Sequence, residues 1–204
     1  MLIKNNKPLA AISYDTQTYG QLRKFIELED NIDLARIDPN DFLENPNPDY
    51  QYIKLVVKDF DQRKQVSAAL DQHKLDRFTY IGQDTTASRF HLDQFKVGMG
   101  CMLFPGVWMY LGGSIGNDVI MHAMIRMAEN VHVGNGCFFS GSITIAGGCT
   151  IGDWCFLGNN LFFIDGVHVC NDVKLLPGTN LRKSITEPGT YYNPNTYKLE
   201  KIIV

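Results

Sequence analysis

Apolar residues recur in this chain at every sixth position, and they do so for more than eighty residues. Stepping by six from Val97 reads Val97, Leu103, Met109, Ile115, Met121, Met127, Val133, Phe139, Ile145, Ile151, Leu157, Phe163, Val169, Leu175 and Leu181, all apolar. Four residues further on in each hexad stand Cys101, Val107, Gly113, Val119, Ile125, Val131, Cys137, Ile143, Cys149, Cys155, Leu161, Val167, Val173 and Thr179, nearly all small or β-branched. The residue after the hexad start is often small, as in Gly98, Gly116, Ala128, Gly134, Ser140, Ala146, Gly152 and Gly158. An amphipathic helix repeats at three and four residues and a half-buried strand at two, so a strict six fits neither. It fits a triangular solenoid in which each hexad is a short strand plus a corner. Three hexads make a coil of roughly eighteen residues, each coil buries its inward side chains against the next, and around five coils fit. Small residues at the corners permit backbone conformations that bulky ones resist.

This periodicity also decides how the cysteines are read. Cys101, Cys137, Cys149 and Cys155 share one inward hexad position, where a thiol behaves as a small hydrophobe. Cys170 stands outside the pattern and is unpaired by it. Neither a disulfide framework nor a metal site is expected. Among the methionines crowded into the early coils, Met109, Met121 and Met127 lie on hexad starts and read as core, whereas Met99, Met102 and Met124 are candidates for a subunit contact.

Residues 1–85 have a different texture. Strands are expected at Leu9–Ser13, Ile32–Ile37, Tyr52–Val57 and Arg77–Ile81, with helices from about Thr16 to Glu29 and from Asp59 to about Leu75. Asp59 or Asp61 would cap the second helix, and Pro39, Pro46 and Pro48 read as a loop. Alternating strands and helices imply a small parallel, Rossmann-like α/β unit. The expected division is residues 1–85 for this unit and 86–204 for the solenoid with its tail. The turn after the first strand, Ser13-Tyr-Asp-Thr-Gln-Thr-Tyr-Gly20, has one late glycine and lacks a phosphate-binding fingerprint.

A net charge of −3 with no visible basic cluster argues against nucleic acid as a partner. No basic-then-apolar leader is present, and no apolar run approaches the ~20 residues of a membrane span. No membrane insertion and a cytoplasmic location are therefore expected.

The segments Ile115-Gly-Asn-Asp-Val-Ile120, Val133-Gly-Asn-Gly-Cys-Phe-Phe139 and Ile151-Gly-Asp-Trp-Cys-Phe-Leu-Gly-Asn-Asn160 follow a small α/β unit and precede the tail Gly189-Thr-Tyr-Tyr-Asn-Pro194. This arrangement resembles the hexapeptide-repeat sugar O- and N-acetyltransferases of the sialic-acid and bacillosamine type, and the tail is similar to their closing Val-Tyr-x-Gly-x-Pro segment. The resemblance implies a left-handed parallel β-helix and transfer of an acetyl group from acetyl-CoA to a hydroxyl or amine of a nucleotide-linked sugar. It also implies a homotrimer with active sites between neighbouring β-helices, a place in surface-glycan biosynthesis such as that of lipopolysaccharide, and no metal.

That chemistry needs a general base and a backbone N–H for the thioester oxyanion. The family usually supplies a histidine. One subfamily's motif, roughly Gly-His-His-Ser, matches Ala128-Glu129-Asn130-Val131 here; the other's, Glu-His-Asp-Cys, matches Ala146-Gly147-Gly148-Cys149. Neither stretch contains the histidine. Three readings stay open: Glu129 is the base with Gly147 as backbone donor one coil away, His122 or His132 supplies an imidazole, or the fold has become a non-catalytic binding or scaffolding protein. By the same resemblance Gly147, Gly148, Asp165 and Gly166 line the route of the CoA arm, with Lys174, Arg182 and Lys183 available to its phosphates. Tyr14, Asp15, Asp38 and Asn130 are the candidates for holding the acceptor. A hexapeptide-fold carbonic anhydrase would need three zinc-binding histidines, for which only His122, His132 and His168 come into question.

Overall fold

The computed structural model describes residues 7–13, 20, 23, 34–54, 59–82, 85–87, 95–193 and 199–202. The chain forms two compact units, Leu2–Thr79 and Tyr80–Val204.

In the first unit, β1 (Leu9–Ile12) lies between β2 (Leu34–Ile37) and β3 (Gln51–Lys54) in a parallel sheet of order β2–β1–β3. Its sequence Leu-Ala-Ala-Ile is buried throughout, as a central strand covered on both faces requires. Two helices follow their strands, α1 (Pro39–Glu44) and α2 (Phe60–Gln72). Asp38 caps the first by accepting from the Asn40 N–H at 2.9 Å, and Asp59 caps the second by accepting from the Gln62 N–H at 3.0 Å. Pro39, expected in a loop, opens α1 instead: its fixed φ and missing N–H suit the first helical turn. Phe42, Tyr52, Val66 and Leu70 build the core with Ala10 and Ile12, and the rings of Phe42 and Tyr52 meet edge to face at 5.0 Å. The expected closing strand at Arg77–Ile81 is divided. Arg77 makes a single bridge to Tyr52, whereas Tyr80–Ile81 belongs to the solenoid. The helix expected from Thr16 to Glu29 falls, apart from Gly20 and Arg23, outside the described residues.

The second unit is a left-handed parallel β-helix of three faces. The first face stacks Tyr80–Ile81, Met102–Leu103, Ile120–Met121, Phe138–Phe139, Phe156–Leu157 and Val173–Leu175; the second runs from Thr86–Ala87 to Asn180–Leu181, and the third from Lys96–Val97 to His168–Val169. About six coils result, one more than the hexad pattern predicts. The additional coil precedes Val97, where strands begin at Thr86 and Lys96, ten residues apart instead of six, which breaks the periodicity.

From Lys96 to Leu181 pairing is in register at eighteen residues, so inward positions stack as ladders. Leu103, Met121, Phe139, Leu157 and Leu175 form one, and Met109, Met127, Ile145, Phe163 and Leu181 another, all buried. The inward cysteines form no disulfide, and their thiols donate to carbonyls of the following coil, Cys101 to Gly116 and Cys137 to Gly152, each at 3.0 Å.

One corner shows why the sequence alternates glycine with Asn or Asp. Asn117 Oδ1 accepts from the Met99 N–H at 2.9 Å, Asn135 from Asn117 at 2.9 Å, Asp153 from Asn135 at 2.6 Å and Asn171 from Asp153 at 2.8 Å. Each such side chain passes close over a glycine of the preceding coil. A Cβ on Gly116 would stand 2.7 Å from Asn135 Oδ1 and 2.8 Å from the Gly134 carbonyl carbon. Beyond the last coil, Gly189–Tyr192 extends the first face and pairs antiparallel with Glu200–Ile202. Among the described residues no helix is long and apolar enough to cross a membrane.

Two outcomes follow from this packing. Gly116→Ala should lower stability by about 1–3 kcal/mol, because the crowded atoms include backbone that cannot step aside; urea denaturation measures it. A fragment starting at Tyr80 keeps the first strand of the first coil, and one starting at Thr86 loses it, so the longer fragment should show the higher Tm.

Candidate active site

The corner between the second and third faces brings most of the expected site residues together. Glu129, Gly147 and Asp165 occupy equivalent places in three successive coils. The Gly148 N–H donates to the Glu129 carbonyl at 2.9 Å, and the Gly166 N–H to the Gly147 carbonyl at 2.9 Å. The next residue of each corner is left-handed: Gly112 at φ 76°, Asn130 at 54°, Gly148 at 68° and Gly166 at 69°. Asparagine tolerates this region better than most residues with a side chain, so the corner alone accounts for Asn130. Cys149 follows Gly148 but points inward, where burial pushes its thiol pKa up and its Sγ donates to the Ile164 carbonyl at 3.2 Å. It is a core residue, not a nucleophile.

The side chains at this corner converge on Gly147. Asp165 Oδ1 accepts from the Gly147 N–H at 3.1 Å, the same link between coils that Asn117, Asn135, Asp153 and Asn171 make at another corner. Asp165 shares their hexad slot, a signal present in the sequence but unused in its reading. The amide considered as an oxyanion donor is thus engaged by a carboxylate in the free chain. From the other side, the Glu129 carboxylate lies where a side chain on residue 147 would begin, since an ideal Cβ there would be 2.8 Å from Oε1. Glu129 is exposed and Gly147 buried.

The histidines separate. His132 is three residues beyond Glu129, exposed on the third face, with Nδ1 at 2.9 Å from Ser114 Oγ. His168 repeats the arrangement two coils on, its Nδ1 2.6 Å from Thr150 Oγ1. The two share a column, as their spacing predicts, with Thr150 between them. His122 is at a different corner, between the first and second faces, half-buried with its ring stacked on Phe104 at 5.0 Å and tilted against Phe138 at 5.3 Å. Burial lowers its pKa. Among the described residues no group of three or more His, Cys, Asp or Glu is gathered to hold a metal.

The cations divide too. Lys183 is exposed two residues after Leu181, which pairs with Phe163, so it continues the corner that carries Asp165. Lys174 stands on the first face, with its ammonium 5.5 Å from the centre of the Phe156 ring, away from that corner. Asp38 belongs to the α/β unit, where its carboxylate caps α1. Tyr14 and Asp15 lie outside the described residues.

No protein-family model matches the chain. Among solved structures, the acetyltransferase domain of PglB from Neisseria gonorrhoeae FA1090 matches with a TM-score of 0.81 at 15% identity, over 97% of this chain and 100% of that one. The same domain in complex with acetyl coenzyme A gives 0.69 at 16% identity, with 97% and 100% covered. PerB from Caulobacter crescentus, in complex with CoA and GDP-perosamine, gives 0.77 at 15% identity, with 96% and 98% covered. At this level of identity the likeness establishes the fold, an α/β unit joined to a left-handed β-helix, which this chain shares with sugar acetyltransferases.

His122 gives the corner between the first and second faces a measurable pH dependence. Its folded pKa lies below the usual value of about 6.5, so on acidification the unfolded chain takes up the proton first. This contribution to stability is complete above the unfolded pKa and declines as pH falls through it. His122→Gln should therefore narrow the gap between the Tm values at pH 8.0 and pH 5.5; an unchanged gap would exclude this histidine as its source.

Proposed function

We propose that this chain transfers an acetyl group from acetyl-CoA to a hydroxyl or amine of a nucleotide-linked sugar, with Glu129 as general base. The observation that carries the reading is the Glu129 carboxylate set against Gly147, at the corner where the resemblance expects a histidine. The fold shared with acetyltransferases crystallised with CoA, acetyl-CoA and GDP-perosamine supports it. In the reaction the acceptor oxygen or nitrogen attacks the thioester carbonyl carbon. Glu129 takes the acceptor's proton, the tetrahedral centre collapses with loss of the C–S bond, and the proton passes to the leaving CoA sulfur.

Gly147, Gly148, Asp165 and Gly166 would line the CoA arm and Lys183 would meet its phosphates. Asn130, beside the base, and the α/β unit with Tyr14, Asp15 and Asp38 would hold the acceptor. We place the protein in the cytoplasm, in surface-glycan biosynthesis, as a homotrimer. Exposed Trp108, Tyr110 and Phe162 on the second face and Met99 and Met124 at corners are apolar surface of the kind subunit contacts cover. The β-helix, which starts at Tyr80 and not at the expected residue 86, would act as the acyltransferase domain and the α/β unit before it as the acceptor-binding unit. His132, three residues from Glu129, is the alternative base. One observation favours a second reading, a non-catalytic binding protein: the Gly147 amide is already engaged by Asp165.

Calorimetric titration with acetyl-CoA separates the two, with micromolar binding of about one molecule per chain expected for the enzyme. Binding absent at millimolar ligand would favour the second reading. Glu129→Gln should lower kcat by about a hundredfold or more. An undiminished rate would remove Glu129 from the role and direct attention to His132→Gln.

A further inference from the structure

Gly147 and Gly148 are adjacent glycines, and what a side chain would meet differs between them. Gly148 has φ 68°, a conformation in which a side chain is strained. Gly147 is not among the left-handed residues, so its backbone would accept any side chain. The three atoms nearest to an added Cβ all belong to Glu129: Oε1 at 2.8 Å, Cδ at 3.0 Å and Cγ at 3.5 Å. At Gly116 the crowding includes backbone, the Gly134 carbonyl carbon at 2.8 Å and the Asn135 nitrogen at 2.9 Å. At Gly147 it comes from one flexible carboxylate in the preceding coil.

We propose that Gly147 is a positioning residue for the base, its missing side chain forming the seat in which the Glu129 carboxylate rests. Asp165 fixes that seat from the following coil by accepting the Gly147 N–H. Two carboxylates thus flank one glycine, and they have separate tasks. Asp165 is tied to the backbone, while Glu129 is held by shape against a buried glycine and remains exposed at its own position. This assignment rests on the reading of Glu129 as base, and it gives the glycine at 147 a spatial role in place of that of oxyanion donor.

The test is a cycle of four proteins: wild type, Gly147→Ala, Glu129→Ala and the double variant. In thermal melts Gly147→Ala should lower the Tm of the wild type, because the new methyl displaces the carboxylate. In the Glu129→Ala background it should leave the Tm unchanged or raise it, since the space is empty and replacing a glycine restricts the unfolded chain. Equal Tm changes in both backgrounds overturn the seat, whether or not the protein turns over. In kinetics Gly147→Ala should lower kcat at least about tenfold through misplacement of the base. The double variant should be no slower than Glu129→Ala. Coupled Tm values with an unchanged kcat overturn the positioning role. Coupled Tm values with no turnover in any of the four overturn the acetyltransferase reading while supporting the seat.

Discussion

Every coil of this β-helix finds its hydrogen-bond partners in the coils above and below. Strands of two or three residues cannot satisfy their own polar backbone, and burial forbids leaving it unsatisfied. The Gly116 N–H therefore reaches the Val133 carbonyl, and the Gly134 N–H the Ile151 carbonyl, each at 2.8 Å. The ladder repeats at eighteen residues from the Lys96–Ser114 pair to the Phe163–Leu181 pair, while the longer first coil still pairs Tyr80 with Met102. The stacked apolar columns, the left-handed corner residues and the glycines beneath the Asn and Asp side chains all follow from that one demand.

The candidate site is a variation within the same frame. In the slot after the small corner residue, Asn and Asp reach back and accept from the previous coil's amide, and Asp165 does so to Gly147. Glu129 occupies that slot with one more methylene and turns toward the following coil, where the absence of a side chain leaves room. The link that Asp165 makes and the proposed base thus differ by a single carbon and a choice of direction. The neighbouring Ser114–His132 and Thr150–His168 pairs show how readily this surface places polar groups at fixed intervals.

Periodicity made the β-helix legible because an inward position tolerates only apolar or small residues, and Val97 to Leu181 meets that condition without exception. The first coil was hidden because its strands at Thr86 and Lys96 are separated by an insertion, which removes the repeat while leaving the pairing intact. Pro39 was misread because proline marks both loops and first helical turns, and only the capping geometry of Asp38 distinguishes them. For the site, sequence spacing placed Glu129, Gly147 and Asp165 on one column correctly. It could not indicate which way each side chain leans, since a hexad slot fixes the Cα and not the rotamer. Lys174 and Lys183, both available to the CoA phosphates by resemblance, are separated because the residues between them carry the backbone off the first face.

The reversal at Glu200–Ile202 has a meaning of its own. A parallel solenoid is an open stack whose last coil offers its ladder to any strand that arrives, including the first coil of another molecule, and such ends are templates for fibrous growth. Here the next strand on the first face runs the other way, with Glu200 and Lys201 exposed along it. A further coil arriving in the parallel sense would meet a strand of opposite polarity bearing charges of both signs. On this face the tail thus blunts the open edge against a parallel strand from another molecule.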